Sequence, residues 1–124
     1  MRRVVALLLV GLLVLASTGA RAQVIIDDLR PVGMADSDLR QILERVTDGF
    51  FDPISAQFRG LRYVEINGQR HIVCGEVNGK NQFGGFVGFR NFYYDTKSGL
   101  YEIYNPNQTL AQLVFLRLWG YGCV

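Results

Sequence analysis

The chain has 124 residues, 49% of them hydrophobic and 19% charged, with a formal net charge of +2 and a mean hydropathy of +0.14. That length holds one core and leaves no room for two. The composition excludes an intrinsically disordered polymer and a strongly basic nucleic-acid-binding module.

Arg2 and Arg3 precede an apolar run from Val4 to Ala16, and Ala20-Arg21-Ala22 follows it. This order of charge, apolar run and small residues predicts a secretory signal peptide over residues 1–22, cleaved after Ala22. The run falls short of the roughly 20 apolar residues that cross a bilayer, so no stable membrane anchor is expected after cleavage. The strongly apolar Val and Leu run favours the general secretory route over twin-arginine export. No Cys stands at the cleavage point, which argues against lipid attachment. Residues 23–124 carry ten basic and eleven acidic side chains. A net charge of −1 gives no clustered basic face for a polyanion, so no nucleic-acid partner is expected. The expected location is periplasmic or secreted.

Residues 23–35, with Pro31 and Gly33 and no sustained period, read as an extended lead-in to a single domain over 36–124. Asp36 or Ser37 can cap a helix whose apolar positions Leu39, Ile42, Leu43 and Val46 share one face, with Gly49 as its stop. Asp52-Pro53 predicts a short second helix carrying Ile54, Ala56 and Phe58 and ending at Gly60. From Leu61 the period changes to two. Leu61–Ile66 and Arg70–Cys74 flank Asn67-Gly68-Gln69, a strong hairpin signal. Gly85–Tyr94 and Leu100–Tyr104 form a second candidate pair around Asp95–Gly99. Thr109–Leu118 has helical length, with Leu110, Leu113, Val114 and Arg117 on one side. A strand competes there because Val114–Leu118 is almost wholly apolar.

These elements predict an α+β fold in two layers: a small antiparallel sheet of three to four strands packed by an N-terminal, a short second and a C-terminal helix. Phe83, Phe86, Phe89 and Phe92 recur every three residues and are read as core packing, with an exposed recognition surface as the competing role. The two cysteines, Cys74 and Cys123, predict one disulfide in an oxidising compartment. A buried free Cys74 with a frayed Cys123, or an intermolecular bridge through Cys123, are the alternatives.

Catalytic constellations are sparse. His71 is the single histidine, and Glu76 and Cys74 have opposite parity to it on a continuous strand; a bulge at Gly75 would be needed to reunite His71 with Glu76. One His and two distant Cys form no metal-ligand spacing, and Asp27-Asp28 and Asp36-x-Asp38 lack the remainder of a calcium loop, so no metal is expected. Gly79-Lys80 lacks the flanking residues of a phosphate-cradling loop, and no cofactor is expected. What remains is a polar cluster, Glu76, Asn78, Lys80 and Asn81, beside the aromatic Phe86 and Phe89. These six residues are the candidate ligand- or partner-binding surface. The competing role for the cluster is a hydrogen-bond knot that fixes the turn. Arg62, Arg90 or Arg117 are the expected counter-ions of Glu76.

Phe51-Asp52-Pro53-Ile54-Ser55-Ala56-Gln57-Phe58-Arg59, followed by Cys74-Gly75-Glu76-Val77-Asn78-Gly79-Lys80-Asn81-Gln82-Phe83-Gly84-Gly85-Phe86-Val87-Gly88-Phe89, resembles a group of small secreted proteins and lipoproteins of Gram-negative bacteria. That group shares an Asp-Pro-x-Ser-Ala-x-Phe-Arg segment and a Cys-Gly-x-Val-Asn-x-Lys-Asn-x-Phe-Gly-Gly segment. The resemblance spans roughly residues 50–94 and implies an envelope compartment and a shared fold, with no activity attached. The sequence departs from it in having Gly79 where a small Ala is common and in lacking a lipid-bearing Cys.

The leading expectation is a non-catalytic binding module that takes an envelope protein or a small polar ligand through the Glu76–Phe89 region. A small hydrolase of envelope polymers using Glu65, Glu76 or His71 is the rival, since paired carboxylates or a His and a carboxylate can share acid–base work. A third is an accessory subunit of an envelope assembly, whose aromatics pack against a larger partner.

Overall fold

The computed structural model describes residues 23–27 and 29–123; the expected signal peptide, residues 1–22, lies outside them. Its elements are β1 (Val24–Ile25), α1 (Asp36–Val46), a single 3-10 turn at Pro53–Ser55, β2 (Gln57–Ile66), β3 (Gln69–Asn78), β4 (Arg90–Asp95), β5 (Tyr101–Ile103) and α2 (Thr109–Trp119). The strands form one sheet in chain order, with β1 parallel to β2 and every other pair antiparallel. The α+β class stands, but the sheet has five strands and is mixed, and the described residues form two α-helices.

The expected short second helix shrinks to the 3-10 turn because Ala56 and Phe58 are fully buried core residues at the start of β2. Arg59 pairs with Glu76 and Arg62 with Cys74, so Gly60 and Leu61 together oppose Gly75. This bulge shifts the alternation by one residue, which hides the first turn of the strand from a period-two reading. Gly60 takes φ +61°, a glycine conformation. Gly75 fits closely, since a Cβ there would stand 3.0 Å from the Arg59 carbonyl oxygen and could be admitted only if the backbone gave way by a few tenths of an ångström. The early start of β2 also creates the pairing edge for β1: Val24 N–H donates to Ala56 O and Ile26 N–H to Phe58 O, both at 3.0 Å. Part of the extended lead-in thereby becomes a strand.

The β2–β3 hairpin turns through Asn67 and Gly68, both at positive φ, as the Asn-Gly signal predicts. Gly85–Phe89 does not join β4; those residues form a loop.

The sheet is covered on both faces. On one, Leu39, Ile42, Leu43 and Val46 of α1 pack with Phe58, Val73, Val77 and Phe92. Phe58 and Phe92 meet edge to face at 5.5 Å. On the other, Leu118 of α2 packs with Val64, Ile72 and Cys74, and the Cys74–Cys123 disulfide ties the end of the chain to β3. The expected two layers are therefore three. The helix over Thr109–Leu118 forms, but Leu113 and Val114 are exposed while Phe115 and Leu118 are buried. The tether at Cys123 and the rings of Tyr93 and Tyr104, which meet Phe115 at 5.5 and 5.4 Å, select that side. A formed disulfide points to a non-cytoplasmic, oxidising compartment.

Candidate ligand groove

Beyond Asn78, β3 leaves the sheet and the chain returns to β4 through a tongue built on two asparagines. Asn81 Oδ1 accepts the Phe83 and Gly85 N–H groups at 2.9 and 3.2 Å, while Asn81 N–H donates to Gly85 O at 2.9 Å. Lys80 and Phe86 form an antiparallel bridge, and Val87 N–H donates to Gly79 O at 3.1 Å. At the base, the buried Asn78 accepts the Gly88 N–H on its side-chain oxygen at 3.0 Å. Each side-chain oxygen thus satisfies backbone donors that a glycine-rich loop would otherwise leave open. Of the four regularly spaced phenylalanines, Phe92 alone is buried, and Phe83 is 86% exposed. The core-packing expectation is corrected for the others because the tongue lifts them off the sheet.

The tongue forms one wall of a groove of about 350 Å³ on the α1 face of the sheet. Phe50 and Phe51, from the segment after α1, form the facing wall; Val77, Arg90 and Ile103 form the floor; Asn105 and Gln108, ahead of α2, close one end. Lys80 and Val87 contribute from the tongue. Lys80 and Arg90 are the charged residues of the lining, and no carboxylate accompanies them. Among the described residues, neither has a carboxylate at ion-pair distance. The Lys80 ammonium stands 5.3 Å from the Phe86 ring centroid, which keeps the side chain beside the wall.

The predicted site residues divide between two places. Lys80 borders the groove, and Asn78 and Asn81 hold its wall by the backbone bonds above. Glu76 projects from the opposite sheet face, where Arg59 Nε donates to it at 2.5 Å and the Arg59 guanidinium lies 3.8 Å over Phe89. The hydrogen bond to Glu76 is the main cause of the raised Arg59 pKa. The partner of Glu76 is thus Arg59, and the expectation of Arg62, Arg90 or Arg117 is corrected: the bulge at Gly60 keeps Arg59 on the Glu76 face, while Arg62 donates to Gly122 O at 2.9 Å. Phe86 is exposed on the tongue.

Glu65, Glu76 and His71 do not converge. Glu65 follows Val64, which packs under α2, and so turns to the other face from Glu76; His71 lies near the hairpin end of β3, its carbonyl accepting from Thr96. The register of β3 against β4 is unbroken from Ile72 to Val77, so the bulge beside Gly75 lies on β2; a second register shift, at Val64–Glu65, leaves His71 as the extra residue on β3. Among the described residues no three His, Cys, Asp or Glu side chains gather at metal-binding distance, and no helix is long and apolar enough to cross a membrane.

Sequence reasoning missed Phe50, Phe51, Ile103, Asn105 and Gln108 as groove residues, and treated Arg90 only as a counter-ion. The adjacent Phe50-Phe51 pair just beyond a helix stop was the usable signal, because a 70% exposed Phe51 has no core role. No protein-family model, curated protein or solved structure matches this chain.

Proposed function

We propose that the chain is a secreted or periplasmic, non-catalytic binding protein that takes a small ligand in the groove between the tongue and Phe50-Phe51. The observation that carries this reading is the groove itself: a recess of small-molecule size with apolar walls and few, convergent polar groups. The tongue supports it further, because a wall braced by Asn78 and Asn81 is already shaped and loses little entropy on binding. The amino-terminal charge and apolar pattern, the disulfide and the resemblance to small envelope proteins support the compartment.

Fragment screening by amide-resolved NMR tests the reading. Perturbations gathered at Phe50, Lys80, Val87, Arg90 and Gln108 support it; perturbations confined to other surfaces overturn it. Mass spectrometry of exported protein tests the leader, the expected mature chain beginning at Gln23.

The accessory-subunit reading is favoured by one observation: Leu113, Leu116 and Trp119 form an exposed apolar strip on α2. A photo-crosslinker at Leu116 in intact envelopes tests it, a single reproducible partner being the supporting result and unreacted monomer the opposing one.

A further inference from the structure

We infer that the groove takes a small organic anion, one carboxylate or phosphate joined to a compact apolar body. The inference rests on the binding reading above and narrows it to a ligand class. Lys80 and Arg90 face the same recess with no carboxylate in its lining. Residues 23–124 are net negative, so this positive lining is a local feature of the groove and not a property of the whole surface. The apolar walls strengthen it, since a charge pair beside low-dielectric surface is less screened than one in open water.

A third positive feature borders the same recess. Gln108 stands at the amino end of α2 and makes no side-chain cap to it. Gln108 also lines the groove, so the amino end of the 11-residue helix, with the positive end of its dipole, borders the recess that holds Lys80 and Arg90. An arginine fork and backbone N–H groups are both suited to a planar carboxylate or a phosphate.

The other half of the ligand follows from the walls. Phe50, Phe51, Val87 and Ile103 offer two rings and two branched side chains, and Phe51 and Val87 are 70% and 54% exposed. An apolar body would take both out of water. A bare inorganic ion would leave them wet, and a cation would meet Lys80 and Arg90 of its own sign.

The test is calorimetric titration with four probes of graded chemistry: 4-phenylbutyrate, its neutral amide, 4-phenylbutylamine and inorganic phosphate. Binding sites are mapped by amide NMR on the disulfide-intact protein. The expected result is saturable binding of 4-phenylbutyrate in the groove, about tenfold or more tighter than the amide, the size that charge-assisted hydrogen bonds supply. Lys80→Gln with Arg90→Gln should bring the carboxylate down to the level of the amide without altering the thermal unfolding midpoint. Inorganic phosphate should bind more weakly than 4-phenylbutyrate. Equal affinity for the amide or the amine overturns the anion inference and leaves the groove-binding reading standing. Phosphate binding as tightly as 4-phenylbutyrate overturns the apolar half. Failure of all four probes in the groove overturns the inference, while failure of the broader fragment screen as well overturns the reading beneath it.

Discussion

The Cδ2–Cε2 edge of the Phe50 ring lies close enough to Gly79 that a Cβ built on the glycine would stand 2.6 Å from Phe50 Cδ2 and 2.7 Å from Cε2. The aromatic wall of the groove and its tongue thus touch through a position where no side chain fits, and the width of the groove depends on that contact.

Gly79→Ala must therefore displace the Phe50 ring, since no shift of a flexible chain end relieves an overlap with a ring. The expected cost is about 1–3 kcal/mol, typical of overpacking a filled site. Urea denaturation measures it. The double variant Gly79→Ala with Phe50→Ala should cost less than the sum of the two single variants, because removing the ring removes the overlap. Strict additivity would show that the contact does not set the wall.

The disulfide makes a second prediction. Cys74 and Cys123 are 49 residues apart in sequence, and closing a loop of that size stabilises by roughly 4 kcal/mol in the chain-entropy model. The bond anchors α2, whose buried contribution is small: Phe115 and Leu118 are its buried apolar side chains in the described structure. Cys74→Ala with Cys123→Ala should lose protection from hydrogen exchange first in α2, while β3 and α1 stay protected until global unfolding. Uniform loss across both helices would show that α2 does not depend on the tether.

What was legible in the sequence was local. Leu39, Ile42, Leu43 and Val46 repeat at helical spacing, and all four are buried. Asn67-Gly68 requires two positive φ angles in succession, which few turns other than a tight hairpin offer. The start of β2 was not legible, because the extra residue at Gly60 puts Phe58 and Leu61 on the same face at a spacing of three, where a regular strand would need an even one. β1 owes its existence to the edge that β2 exposes, a partner that two residues of sequence cannot announce. The buried side of α2 was lost because Val114–Leu118 is apolar except for Arg117 and offers no clear polar face, so tertiary contacts decide the facing. In the groove, Lys80 was found because the glycine-dense tongue is a local signal. Phe50, Ile103 and Gln108 meet only through strand order.

Phe58 offers a test of that bulge-shifted register. It is fully buried and meets Phe92 edge to face across the intervening β3. Phe58→Ala should cost about 3–5 kcal/mol, the range for emptying an aromatic site in a close-packed core. In a short helix packed on the sheet, as the sequence pattern first predicts, no strand-register contact with Phe92 would be lost, and the same change would cost less. Denaturant midpoints distinguish the two outcomes directly. Phe83→Ala, on the exposed tongue, is the control and should leave the midpoint unchanged.

The bulge also links stability to acid. Gly60 N–H, the donor of the extra residue, goes to Asp27 Oδ2 at 2.6 Å, and Leu29 N–H goes to Asp27 Oδ1 at 3.2 Å. The Gly60 hydrogen bond chiefly, with that of Leu29, holds the Asp27 carboxyl below its ordinary value against the opposing effect of desolvation. A carboxyl whose pKa is lower folded than unfolded stabilises the fold fully above the unfolded value, near 3.9, and loses that contribution as pH falls through the folded value. Asp27→Asn keeps an acceptor for Gly60 and removes the titration. Because Asp27 is exposed to solvent, the expected loss at pH 7 is at most about 1 kcal/mol. The gap between wild type and variant should narrow as pH falls below 4 and close once Asp27 is protonated in both states. Urea midpoints from pH 7 to pH 2 measure this directly. A gap of constant size down to pH 2 would show that the carboxylate charge contributes nothing and that Asp27 acts only as a neutral acceptor at the bulge.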